Sequence, residues 1–264
     1  MRHTGLPLCY LTPNWPAPSN IRAVSTTRGL KGLSDLGDDA LLSGLTGFNL
    51  ARHVKDCPER VEQHRLQMQH DLDLERQPVW LNQTHSTDLL SLPVPVPVPL
   101  PAALYDCDGS FTQTKNWPCV VMTADCLPVL LCNTSGTQVA AVHAGWKGLA
   151  NGILGNAVAQ FSDPSQVMVW LGPAIGPDKF EVGLDVLQAF GVNSTSASKE
   201  FIAVKGKPNK WLCNLYALAH KELTALGVTN VFGGKECTLS SPDRFYSHRR
   251  DPQSGRMASL IWIV

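Results

Sequence analysis

The sequence predicts an α+β fold with mixed β-sheets, and three observations predict it. Apolar runs of strand length, such as Val120 to Met122, Val129 to Leu131 and Val167 to Leu171, are mixed with helical stripes but do not strictly alternate with them. No linker clearly divides the chain and no segment repeats at a fixed period, so one domain is expected over residues 1–264. With 264 residues and 44% apolar side chains, the chain can bury a sizeable core.

The elements follow in order. Ile21 to Thr26 reads as a strand, and a glycine-rich loop from Arg28 to Gly47 comes after it. Asp56-Cys57-Pro58 is a helix start, because proline lacks an N–H that the first turn would leave unpaired. Val61, Met68 and Leu72 give that helix its apolar stripe. Val79 to Leu81 is a short strand leading into the polar run Asn82 to Ser86. Leu92 to Pro101 alternates valine with proline, which removes ladder donors, so an extended surface loop is expected. Val120 to Met122, Val129 to Leu131 and Val139 to Val142 are buried strands, the first two joined by Thr123 to Pro128. After Gly145, one helix is expected, with Leu149, Ile153, Ala157, Val158 and Phe161 on its buried face. Val167 to Leu171 is a strand. Helices follow through Val182, Val186 and Phe190, and through Leu215 to Leu226. Val228 to Phe232 and Leu260 to Val264 are the final strands.

The totals exclude several classes. Lys and Arg number 22 and Asp and Glu number 22, so net charge recruits neither nucleic acid nor an anionic membrane. Residues 1–5 lack a signal-peptide core, and no stretch reaches the roughly 18 apolar residues of a spanning helix. A cytoplasmic location is expected. The eight cysteines form no C-x-x-C pair, which argues against a zinc ribbon or a thioredoxin-like site and for reduced thiols.

Three residues share one kind of position. His85 follows a strand, Cys126 lies between two apolar strands, and His143 ends a strand before a glycine turn. Strand ends project functional groups into clefts. Two imidazoles and a thiolate suit zinc, and three protein ligands leave the fourth position of a catalytic site open. The ordinary alternative is packing, since the spacing matches no metal motif. Lys147 and the helix start near Gly148 can hold a phosphate, or form a plain strand-to-helix turn. Arg28 and the pair Arg249-Arg250 can grip an anion or make surface ion pairs. Asp108 and Asp125 are acid–base candidates, with turn chemistry as their alternative. Cys107 and Cys237 read as packing residues.

At these residues the sequence resembles the laccase-domain (YfiH-like) family, also described as purine nucleoside phosphorylases of the multicopper polyphenol oxidase type. The runs that carry the likeness are Thr123 to Leu131, Val139 to Leu149, Leu171 to Gly183, Gly233 to Thr238, Arg244 to Asp251 and Gly255 to Trp262. S-T-T-R-G from Ser25 and W-L-N-Q-T-H-S from Trp80 extend it toward the N-terminus. The resemblance implies a layered α/β sandwich and a zinc site at His85, Cys126 and His143. It implies phosphorolysis of adenosine, inosine and methylthioadenosine, with adenosine deamination as a side activity. Nucleoside and phosphate are then the small-molecule partners, with Arg28, Lys147 and Asp108 as substrate-binding candidates and Cys126, His143 and Asp125 as catalytic ones. Ser86 departs from the family's usual glycine after the first histidine, and Cys107 replaces an alanine before Asp108.

Two other enzyme readings stand beside this one. A cysteine- or zinc-dependent amide hydrolase could edit cell-wall peptide precursors, with Cys126 as nucleophile beside His143. A copper-dependent polyphenol oxidase is disfavoured. Its copper centres need many histidines, and this chain has eight, none in a His-x-His pair. A zinc-stabilised binding protein is the non-enzymatic reading, which the open coordination position argues against.

Overall fold

In the computed structural model, residues 9–29, 44–95, 105–193 and 198–264 are described. Most of the glycine-rich loop (30–43) and of the valine–proline run (96–104) lies outside them.

Two sheets carry the fold. The first joins β1 (Tyr10–Leu11), β2 (Ile21–Thr26), β15 (Met257–Ile263) and β7 (Cys119–Thr123), in that order and all antiparallel. The second has the order β14 (Asn230–Gly233), β10 (Val167–Leu171), β8 (Leu127–Asn133), β9 (Val139–Ala144), β6 (Gly109–Thr112) and β4 (Leu89–Leu92). Its β10–β14 and β4–β6 pairs are parallel and the others antiparallel, so the sheet is mixed as the interspersed pattern predicts. Smaller ladders join β11 (Glu181–Val182), β13 (Trp211–Cys213) and β12 (Phe201–Ala203), and pair β3 (Leu81–Asn82) with β5 (Tyr105–Asp106).

The sheets stack with helices outside them, giving the layered sandwich. Period-two alternation explains the layering. On β8, Leu130 and Cys132 face the first sheet, where they meet Val121 and Ile261. Leu127, Val129 and Leu131 face the opposite way, toward α2 (Trp146–Ala150), α3 (Ile153–Val158) and α5 (Leu215–Ala225). On β15, Ala258, Leu260 and Trp262 pack under α1 (Pro58–Asp71), beside Met68 and Leu72. α4 (Leu184–Ala189) adds Val186 and Leu187 to the larger helical side. These strands are covered on both faces, which is why they read as unbroken apolar runs.

Local differences have local causes. The expected helix after Gly145 is two helices, α2 and α3, because Gly152 takes φ +89 and interrupts the hydrogen-bond ladder. Its predicted apolar face survives, since Leu149, Ile153, Ala157, Val158 and Phe161 are all buried. The link between β7 and β8 is only residues 124–126, shorter than the expected Thr123 to Pro128. Val182 belongs to β11, not to the helix after it. Among the described residues no helix is long and apolar enough to cross a membrane.

Candidate metal centre

One end of the sandwich gathers chemistry. The turn from β7 to β8 delivers Cys126, β9 delivers His143 near its end, and the loop after β3 delivers His85. The ligand atoms of these three lie within 4.8 Å of one another, and they are the metal-compatible cluster found among the described residues. Cys126 Sγ and His85 Nε2 are 3.7 Å apart. A tetrahedral zinc with ordinary Zn–S and Zn–N bonds needs about 3.5 Å between such atoms. The Cys126–His85 pair is therefore close to the spacing of two zinc ligands, and the donor set suits a zinc-sized cation. Gly145 makes room for it, because a Cβ there would stand 2.8 Å from His85 Cδ2 and 3.1 Å from Cys126 Sγ.

Two aspartates hold this constellation. Asp108, fully buried just before β6, accepts hydrogen bonds from the backbone N–H groups of Thr84 (3.1 Å), His85 (3.0 Å) and Ser86 (2.6 Å), and from the Ser86 hydroxyl (2.9 Å). It also pairs with His143 Nδ1 at 2.7 Å, which leaves Nε2 as that ring's ligand atom. Burial pushes the Asp108 carboxyl up, but the bond and charge of His143, with the Ser86 donors, overcome it and hold the group at about 2. Asp125 secures the other ligand. Its carboxylate accepts from Thr238 Oγ1 (2.6 Å), Ser247 Oγ (3.0 Å) and the Arg249 N–H (2.7 Å), tying the Cys126 turn to the 238–249 segment. His85 and Asp125 both take positive φ, +62 and +91, a local cost that these bonds offset.

Burial pushes the Cys126 thiol up, and His143 and His85 pull it below the usual thiol range, so the thiolate is favoured. A bound cation would hold the same thiolate and leave both imidazoles neutral.

The cluster separates two cavities that share His85, Ala124, Cys126 and His248. One, about 160 Å³, is walled by Trp146, Ile175, Phe180 and Leu215, with Arg249 at its edge. The other, about 290 Å³, is more polar and lined among others by His53, Gln83, Thr123, His143 and Arg256. Gln83 is fixed there by exchanging two 2.7 Å hydrogen bonds with the Met122 backbone.

The family's profile, described as multi-copper polyphenol oxidoreductase laccase, matches residues 30–264. The chain belongs to this laccase family. It is 43% identical to the purine nucleoside phosphorylase YfiH of Shigella flexneri over 255 residues, covering 96% of this chain and 98% of that one. It is 42% identical to a purine nucleoside phosphorylase of Haemophilus influenzae, with the same coverage. The crystal structure of Neisseria meningitidis protein NMB0706 is 42% identical and superposes with a TM-score of 0.82, covering 97% of this chain and 99% of that one.

Within this laccase-family fold, the other candidate residues have the following surroundings. Arg28 lines neither cavity. Its guanidinium is buried and donates to the carbonyls of Thr46 (2.9 Å) and Pro242 (3.1 Å), so it braces loops. Asp108 has no exposed surface and contacts the His85 backbone and the His143 ring. Asp125 keeps an edge on the apolar cavity, but both its oxygens accept hydrogen bonds from the 238–249 segment, so it positions Cys126. Lys147 is exposed, with its ammonium 5.6 Å from the ring centre of Trp146, and α2 is too short for its dipole to add an anion site. Sequence reading passes over His53, His248 and Arg256. The available signal is at Arg256, a lone cation at the head of the buried run Met257 to Ile263.

Proposed function

We propose that this chain is a zinc-dependent purine nucleoside phosphorylase of the cytoplasm that acts on adenosine, inosine and methylthioadenosine, with adenosine deamination as a side activity. The observation that carries this reading is the His–Cys–His cluster between an apolar slot and a polar cavity. Relatives named purine nucleoside phosphorylase, aligned over almost the whole chain, support it. When bound, zinc supplies Lewis-acid polarisation and a template for an oxygen ligand.

The residues divide the remaining work. Trp146, Phe180, Ile175 and Leu215 offer a flat apolar wall to a purine ring and exclude water from it. Arg249, whose guanidinium is 5.4 Å from the ring centre of Phe180, covers the open edge of that slot. In phosphorolysis a phosphate oxygen bonds to the anomeric carbon while the glycosidic C–N bond breaks, and the departing purine takes up a proton. His248 borders both cavities, at the junction where that bond would lie. Copper is possible at the site but disfavoured, because multicopper clusters are usually built from His-x-His pairs and none of the eight histidines forms one.

The second reading is the cysteine- or zinc-dependent amide hydrolase. It is favoured by one arrangement, Cys126 beside His143 with His143 Nδ1 held by Asp108, which has the order nucleophile, base and orienting acid. Incubating zinc-loaded protein with adenosine, with and without phosphate, separates the readings. Adenine and ribose 1-phosphate that form only with phosphate support phosphorolysis, whereas inosine supports deamination. Cleavage of cell-wall peptides without any base release supports the hydrolase.

A further inference from the structure

We propose that Arg256 is the phosphate-binding residue of the polar cavity, so that the anion and the purine ring enter from opposite sides of the His–Cys–His cluster. The inference rests on the phosphorolysis reading and assigns the anion to one place within it.

The geometry of Arg256 argues for this. One terminal nitrogen, Nη1, donates to the Ser254 carbonyl (2.6 Å), the Ser254 hydroxyl (3.2 Å) and the Gly255 carbonyl (3.0 Å). Its backbone N–H donates to Asn49 Oδ1 at 2.8 Å. The side chain is thereby fixed through one end of its fork. Nε and Nη2 make no hydrogen bond among the described residues, and the residue lines the cavity that also holds Cys126 and His143. A guanidinium locked by one nitrogen with two donors spare is prepared for an oxyanion, which accepts such donors in pairs.

The surroundings leave a positive charge to be matched. Burial, and then repulsion from Arg256 and Arg65, disfavours the charged form of His53 on the same cavity wall. Burial opposes the charge of Arg256, while Cys126 and then Asp125 favour it, but Asp125 is already bonded to three donors and Cys126 belongs to the cluster. Arg249, the other cation near the cluster, is exposed and sits among apolar side chains, where it covers a ring better than it holds a phosphate. Arg28 is committed to two carbonyls.

The test uses zinc-loaded full-length protein as wild type, Arg256→Gln and Arg256→Lys. Initial rates are measured against phosphate at saturating adenosine and against adenosine at saturating phosphate. Inorganic phosphate is also titrated calorimetrically with no nucleoside present. Loss of a charge-assisted fork should raise the phosphate KM and Kd of Arg256→Gln by roughly 10- to 100-fold while the adenosine KM stays within about twofold. Arg256→Lys, which keeps the charge but not the fork, should fall between. Zinc content and thermal melting confirm that the variants are folded, and Arg256→Lys stands in if Arg256→Gln is not. Unchanged phosphate affinity in a folded variant overturns the assignment, as does a parallel rise in both KM values. If wild type binds phosphate and Arg256→Gln does not, yet wild type releases no base, the anion site stands and phosphorolysis falls.

Discussion

The middle and the end of the sandwich solve different problems with the same strands. In the middle, β7, β8, β9 and β15 alternate apolar side chains between two packed faces, and their polar backbone is absorbed by the ladders. Stability there comes from burial and close packing. At the end, β7, β8 and β9 run out into Asp125, Cys126 and His143, beside Asp108 and His85, where charge is buried and His85 and Asp125 take positive φ. The lesson is that the middle can bear the cost of the end. A buried carboxylate with every oxygen occupied, such as Asp108, is tolerable on a rigid frame and would be ruinous on a mobile one.

Substitutions should break that contrast in order of size. Cys126→Ala removes the sulfur ligand, and bound zinc should fall from about one per chain to a trace, with activity lost by on the order of 10³-fold or more. Elemental analysis reads the first and product release the second, while the melting temperature of the metal-free protein should hardly move. Leu130→Ala, in the inter-sheet core, should do the opposite. Chemical denaturation should show about 2–5 kcal/mol of lost stability, with zinc content and KM values retained. A core variant that also loses its metal would show that the two regions are not separable.

Two smaller changes probe the join between the regions. Asp108→Asn keeps the shape but weakens its hold on His143 and the 84–86 loop. Zinc affinity measured by chelator competition should drop roughly 10- to 100-fold. Thr238→Val removes one donor from Asp125 and should cost about 1–2 kcal/mol of stability, with zinc still bound.

The same contrast governs what can be read from the sequence. Strands covered on both faces, such as Cys119–Thr123 and Met257–Ile263, announce themselves as apolar runs. Gly109–Thr112, with glycine, serine and threonine, does not, and neither do Phe201–Ala203 and Trp211–Cys213, each only three residues long. Their pairing partners, not their composition, make them strands. At the site, His85, Cys126 and His143 are legible because each stands where a strand ends. The roles of Asp108 and Arg28 are not, because their partners lie far away in sequence. Asp108 reaches His143 across 35 positions, and Arg28 reaches Pro242 across 214. Arg256 is missed for a related reason, since the cavity it lines is built from loops distant along the chain.

Whether His85, Cys126 and His143 together hold one zinc can be read directly by zinc-edge X-ray absorption on the purified protein. One sulfur at about 2.3 Å and two imidazole nitrogens at about 2.0–2.1 Å are expected, with one lighter ligand completing the shell. A shell without sulfur, or one unchanged in Cys126→Ala, would contradict that expectation.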